Sequence, residues 1–350
     1  MFRSWSSNVT SRFLFLIVIS TMCGLLGEIY GELFYGDGDD GHYEGFRVGF
    51  SIAFFATIFE ILFQRSARRG WIRRLPFLPS LILRVLIITV IVRVCLVGND
   101  LLTSFIQRGT SEFNRDLGAE TRDTIISLLL VVFFVAQTQF FSLVGVRRFY
   151  NLLLGRYFKP VDEERIFVFV DMLGSSKAAN ELGNTRFHQL LSDFFFHIDR
   201  AIVRSGGEIV SYVGDAVIIT WPLSDNMKKN AAPFRAIAEM LDLIEGQKDY
   251  FEREYGQVPQ FRAALHCGAI VVGECGDSRR QITFLGDVVN VTARIEQASK
   301  DLDIQYLASA DLIRRIHVPE NVRATKHGPV NLKGVDGPVV LYDIEFCRDK

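Results

Sequence analysis

Two aspartates, each beside strand-forming residues, are the first candidates for chemistry. Asp171 closes RIFVFVD, and Asp215 sits at the Gly-Asp tip of SYVGDAVIITW. Taken alone, such a pair is a hairpin turn, because Asp tolerates unusual backbone angles and bonds its own main chain. In a fold that sets the two runs side by side, Asp171 and Asp215 meet at one end of a sheet. Two carboxylates with no basic neighbour in sequence resist joint ionisation, and a divalent cation removes that penalty. Hard oxygen donors in small number, with positions left for phosphate oxygens and water, suit Mg²⁺ or Mn²⁺. MLGSS follows Asp171: Gly174 allows close backbone approach, and the helix beyond it offers free N–H groups to a phosphate.

A second set lies downstream. Asn290 and Arg294, in DVVNVTARIEQASK, are four apart and share one helix face. An amide and a guanidinium so placed could hold a sugar oxygen and a phosphoryl charge; the alternative is an ordinary polar residue and an arginine paired with a surface carboxylate. Lys333, in NLKGVDGPVVLYDI, stands beside a glycine at the tip of a strand pair, where an ammonium could reach a polyphosphate or simply be solvated. Arg262 lies inside the apolar strand QFRAALHCGAIVVGE, and a guanidinium there wants an anion partner.

The elements that must position these residues begin after Pro160. A buried strand spans 165–171, and a helix follows from about 178 to 204, with Phe187, Leu190, Leu191, Phe194, Phe195 and Ile198 on its buried side. Then come the Gly-Asp hairpin, a helix through about 228–254, a strand pair within 260–274, and QITFLG running into the helix 287–300. Strand, helix, two strands, helix, strand is the ferredoxin-like order of an α+β fold. That order hosts many functions, so function must come from the site.

Before Pro160 the chain is different. Of its 350 residues 49% are hydrophobic, and four long apolar runs crowd the N-terminal part: Arg12–Tyr30, Phe46–Phe63, Leu78–Val97 and Ile125–Val144. Each is near the ~20 residues that cross a bilayer as a helix. The first is too long, and too soon followed by others, for a cleaved secretion signal. QRSARRGWIRR and VRRFYNLLLGRYFK flank the runs on one side and the acidic GELFYGDGDDGHYEG lies on the other, which puts both termini in the cytoplasm of a cell (inner) membrane protein. The expected division is 1–145 four-span all-α transmembrane domain, 146–162 connecting helix, and 163–350 cytoplasmic domain. Membrane lipid is thus a partner, and the net charge of −1 argues against nucleic acid. The five cysteines show no metal or disulfide spacing.

Charges within the runs need partners or an interface. The topology sets Glu28 level with Arg93 and Glu60 level with Arg84, so either two interhelical pairs form or each side chain snorkels. Gln137 and Gln139 are further candidates for interhelical bonds. Beyond the fourth run, GVRRFYNLLLGRYF reads as a helix continuing to Pro160, either a rigid connection or an amphipathic helix on the inner leaflet.

VFVDMLGSS, EIVSYVGDAVIITW, FRAALHCGAIVVGECG, TFLGDVVNVTARIE and VNLKG, in this order, resemble the catalytic domain of class III nucleotidyl cyclases over about residues 163–346. The four-span layout before GRYFKP looks like a bacterial membrane-anchored adenylate cyclase. The resemblance implies that Asp171 and Asp215, with the Met172 backbone, hold two divalent cations, and that the backbone at Gly174 and Ser175 cradles phosphates. It further implies that Asn290 positions the ribose, Arg294 stabilises the α-phosphoryl charge, and Arg262 and Lys333 hold the terminal phosphates. A homodimer with two shared sites follows, as does conversion of ATP to 3′,5′-cyclic AMP and pyrophosphate. The base pocket departs from the family: Ser211 stands where many adenylate cyclases have Lys and guanylate cyclases have Glu, with Thr283 as its partner position. Hydroxyls can serve either purine, but the lack of Glu at 211 disfavours GTP. The alternatives are a guanylate cyclase and a catalytically silent membrane signalling module.

Overall fold

The computed structural model describes residues 9–35, 39–67, 77–106, 121, 125–129, 131–133, 135–136, 154–277 and 281–347. The chain divides into two compact units, Met1–Tyr150 and Asn151–Lys350.

In the first unit, three described helices are long and apolar enough to cross a membrane. They are α1 (Val9–Tyr35), α2 (Asp39–Ala67) and α3 (Phe77–Ile106), with apolar stretches Leu16–Leu33, Gly45–Phe63 and Leu78–Leu102. A Cβ on Gly27 would stand 2.2 Å from the Gly45 carbonyl oxygen, and one on Gly45 equally close to that of Gly27. The α1–α2 contact is therefore backbone on backbone, as small residues allow between membrane helices. The Glu60–Arg84 pair forms: Arg84 Nη1 is 2.9 Å from Glu60 Oε1, and its guanidinium lies 4.4 Å over the Phe63 ring. Asn99, buried on α3, accepts from Arg47 Nε at 2.8 Å and donates to Ser51 Oγ at 3.0 Å. Of the fourth run only 125–129, 131–133 and 135–136 are described, all helical. Gln137, Gln139 and positions 145–153 lie outside the described residues.

The helix expected to run on to Pro160 does not reach it. Residues 154–159 are turns and bends, with Gly155 at φ 59° and Phe158 N–H donating to the Gly155 carbonyl at 3.1 Å. The turn buries Tyr157 among Phe167, Ile270, Val272 and Val288.

The second unit is an α+β fold of strands β1 (Val161–Met172), β2 (Glu208–Val213), β3 (Ala216–Pro222), β4 (Phe261–Cys275), β5 (Gln281–Leu285), β6 (Tyr306–Ser309), β7 (Val322–Asn331) and β8 (Pro338–Phe346). They form one mixed sheet in the order β2-β3-β1-β4-β6-β8-β7, with β5 paired to β4. Successive β1 residues point to opposite faces. Ile166, Val168 and Val170 pack under Phe194, Ile198, Phe234 and Met240, while Phe167 packs with Tyr157 and Ile270 on the other side.

Three expected elements differ. The helix drawn from 178 to 204 is two, α4 (Ser175–Leu182) and α5 (Asn184–Ser205), because Gly183 takes φ 74° and turns the chain. The helix at 228–254 is three, α6 (Met227–Asn230), α7 (Ala232–Glu245) and α8 (Lys248–Tyr255), with the first break just before Pro233 and the second at Gly246. The strand pair at 260–274 is the single strand β4, since Gly268 continues straight through, its missing side chain leaving room for Val288. That valine belongs to α9 (Asp287–Leu302), which is followed by the short α10 (Ala310–Ile313).

Arg165, 2% exposed, anchors β1. Its guanidinium meets Glu163 at 2.8 Å, the Tyr157 hydroxyl at 3.3 Å and Glu208 at 3.4 Å, and lies 5.1 Å over Phe284. Arg156, 3.5 Å from Glu163, adds a second cation, so two guanidiniums face two carboxylates, as burial requires.

Candidate active site

β1 lies between β3 and β4, with Asp171 opposite Ala216 on one side and Arg262 on the other. Gly214, at φ 60°, turns the β2–β3 hairpin, and the Asp215 carbonyl accepts the Met172 N–H at 3.3 Å. The sheet thus brings the two aspartate positions together. Leu173 N–H donates to the Gln260 carbonyl at 2.8 Å, and Gly174 at φ 68° opens α4 with no side-chain cap. An uncapped helix start leaves amide N–H groups for an anion. Arg262, half-buried, keeps its Nε buried with no hydrogen-bond partner among the described residues, consistent with a place for an anion. Met172, Gly174, Ser175 and Arg262 therefore gather around Asp171 and Asp215.

Asp171 is 5% exposed, and a cation already faces it. Lys300, from the last turn of α9, sets its Nζ 3.0 Å from Asp171 Oδ2 and 2.7 Å from Glu296 Oε1. The absence of a basic neighbour, true along the sequence, does not hold in space. Desolvation works against the Lys300 charge, but Glu296 and Asp171 outweigh it and hold its pKa up; burial pushes the Glu296 carboxyl up. A buried carboxylate with a cation drawn to it is the donor chemistry that a hard divalent cation needs, so these residues fit one.

Asn290 and Arg294 are elsewhere. Val291, Ile295 and Ala298 bury the inner side of α9 against Ala264, Leu307, Leu332 and Leu341, leaving Asn290 and Arg294 exposed. Neither makes a side-chain hydrogen bond or ion pair with the described residues. Buried Leu332 seats the β7–β8 connection on α9, so Lys333, exposed beside Gly334 at φ 76°, belongs to this group. Along the helix, Arg294 and Asn290 precede Lys300 by six and ten residues, about 9 and 15 Å at ~1.5 Å per residue. The expected site residues therefore fall into two groups, one at the sheet end around Asp171 and one exposed on α9 and the β7–β8 connection.

Ser211 and Thr283 are half-buried on β2 and β5. Ser211 follows a bulge and pairs with Ile218. Thr283 pairs with Gly273 and donates its hydroxyl to that carbonyl at 3.1 Å, with Cys275 Sγ at 3.2 Å.

Residues 159–345 match the family described as the adenylate and guanylate cyclase catalytic domain. The chain belongs to that family. Over 193 residues it is 44% identical to Adenylate cyclase 2 of Rhizobium meliloti (strain 1021), covering 55% of this chain and 53% of that one. Over 184 residues it is 27% identical to Adenylate cyclase of Anabaena cylindrica, covering 51% and 36%. The chain thus spans about half the length, or less, of these relatives. A solved bacterial light-regulated adenylyl cyclase superposes with TM-score 0.54 at 20% identity, over 67% of this chain and 68% of that one, a likeness of fold.

Within this cyclase domain, sequence reasoning missed Lys300 and Glu296. Their four-residue spacing in EQASK was the available signal; that the pair reaches Asp171 is a tertiary fact. A cavity of about 260 Å³, lined by Cys267, Asp311, Arg314 and Arg315, lies beside none of these residues. Burial pushes the Cys267 thiol up to about 11.

Proposed function

We propose that the chain is a membrane-anchored adenylate cyclase that converts ATP to 3′,5′-cyclic AMP and pyrophosphate at sites shared by two copies. The observation that carries this reading is the separation of the half-sites: Asp171, Asp215 and Arg262 gather at one end of the sheet, while Asn290 and Arg294 on α9 and Lys333 on the β7–β8 connection stand exposed. A second copy would bring one chain's outward group to the other's aspartates. The exposed Tyr212, Val213 and Leu285, at the hairpin tip and the end of β5, offer apolar surface for that contact.

In each shared site, Asp171, Asp215 and the Met172 backbone hold divalent cations, Mg²⁺ or Mn²⁺. When bound, these lower the pKa of the ribose 3′-hydroxyl and offset triphosphate charge. Gly174 and Ser175 cradle phosphates with their backbone. Asn290 orients the ribose, so that its 3′-oxygen attacks the α-phosphorus in line as the bond to pyrophosphate breaks. Arg294 balances the charge that grows on the α-phosphoryl oxygens, and Arg262 and Lys333 hold the leaving phosphates.

Ser211 and Thr283 face the base. Because the Thr283 hydroxyl proton is spent on Gly273, the oxygen offers lone pairs. Those accept from the adenine amino group and oppose the guanine carbonyl oxygen, which favours ATP over GTP. The Rhizobium relative's name supports the same substrate. Domain limits of 1–145, 146–162 and 163–350, a fourth span at Ile125–Val144, cytoplasmic termini and an inner-membrane location belong to the same reading.

The test is purified full-length chain with Mn²⁺ or Mg²⁺ and either ATP or GTP, the cyclic product being identified. Cyclic AMP is expected; cyclic GMP alone would overturn the substrate, and no product would favour a silent module. Asp215→Asn and Arg294→Ala chains should each lose activity by about 10²-fold or more. Mixed at random, about half the dimers are mixed, each with one intact site of two, so about a quarter of the activity returns. No recovery would sink the shared site.

A further inference from the structure

We infer that Lys300 is a built-in counter-ion of the metal site, which neutralises Asp171 when no divalent cation is present and moves wholly onto Glu296 when one binds. The inference rests on the reading of Asp171 as a metal ligand. Three observations carry it. The ammonium is shared, 3.0 Å from Asp171 and 2.7 Å from Glu296, so departure from one carboxylate leaves it paired with the other. The two carboxylate side chains are 7% and 15% exposed while that of Lys300 is 41% exposed, so the movable partner is the one that water reaches. The cation is an ammonium on a flexible stem, which releases a carboxylate more readily than a forked guanidinium.

The physical reason is the cost of a buried, unpaired carboxylate. Without Lys300, Asp171 would face that cost whenever the metal is absent. With Lys300 and without Glu296, the lysine would have no buried carboxylate to go to, and metal would have to displace it into water. Glu296 is thus a positioning residue for Lys300.

The test is Mn²⁺ binding to the nucleotide-free full-length chain in detergent, followed by electron paramagnetic resonance and by thermal unfolding. Lys300→Gln should bind Mn²⁺ roughly tenfold more tightly, the worth of one charge-assisted contact. Its metal-free melting temperature should fall and recover with Mn²⁺. Glu296→Gln should bind more weakly than wild type, and Lys300→Arg also more weakly, since its fork holds Asp171. Weaker binding in both Lys300→Gln and Glu296→Gln, or no change in either, would mean that the lysine only maintains shape and would overturn the inference. Wild-type affinity in Lys300→Arg would reduce the effect to charge repulsion at a distance and also overturn it. Should Lys300→Gln fail to fold, Glu296→Gln and Lys300→Arg still decide. Asp171→Asn should lose Mn²⁺ binding; if it keeps it, the metal-site reading itself falls.

Discussion

The two halves of the proposed site, one around Asp171 and one on α9 and the β7–β8 connection, are built in opposite ways. The first is knitted into the sheet: Asp171 is buried between two strands, the hairpin carbonyl of Asp215 is bonded to Met172, and Lys300 is held by two carboxylates. The second is a display: Asn290, Arg294 and Lys333 stand exposed on a helix and loop whose inner surfaces carry all the packing. Buried charge needs partners within the chain, whereas exposed charge can wait for one outside it. The contrast predicts that changes to the buried, paired charges of the sheet, at Asp171 or at Arg165 further along β1, disturb stability, and that changes in the exposed group disturb turnover alone.

Arg165→Met should give the largest effect. It removes the buried guanidinium that Glu163 and Glu208 share beside β1, a loss of about 3–5 kcal/mol and roughly 10 °C in melting temperature. Unchanged melting would break the contrast at its base. Arg294→Ala should lower kcat by about 10²–10³, some 3–4 kcal/mol, yet leave melting within about 0.5 kcal/mol of wild type. A clear drop in stability would show that α9 needs its outer face after all. Thr283→Val should raise KM for ATP by roughly tenfold, one hydrogen bond's worth, with turnover of GTP unmoved or improved. Equal losses with both nucleotides would remove the hydroxyl from purine choice.

The smallest effect is a slope. Burial holds the His266 pKa below its ordinary 6.5, and its Nδ1 is 2.7 Å from Ser309 Oγ. A depressed pKa means that the unfolded chain binds the proton first. Its contribution to stability is therefore intact above pH 6.5 and lost as the pH falls below it, by at most about 1.4 kcal/mol per pH unit. His266→Asn should flatten melting temperature against pH in that window; an unchanged profile would assign the slope to other groups.

That Asp171 and Asp215 meet at one end of the sheet was legible in the sequence, because one closes a strand-forming run and the other tips the hairpin that pairs with it. The shared helix face of Asn290 and Arg294 was legible from spacing alone. What stayed hidden depends on contacts between distant segments. Nothing local marks Lys300 as the neighbour of Asp171. Gly183 ends a helix whereas Gly268 passes through a strand, a difference set by φ and by Val288 rather than by flanking residues. The four-residue β6 is too short for a period, and the turn at 154–159 exists because Tyr157 finds a buried seat.

Strand β4 ties both readings to one piece of backbone. Arg262, near its start, faces Asp171, and Gly273, near its end, receives the Thr283 hydroxyl. The eleven steps between them span about 36 Å at ~3.3 Å each. One chain's Arg262 and Thr283 would therefore serve different nucleotides. In genetic terms, alleles at Asp215 and at Arg294 would fall into separate complementation groups if the site is shared as proposed, whereas a lesion that unravels β4 would belong to both and be rescued by neither.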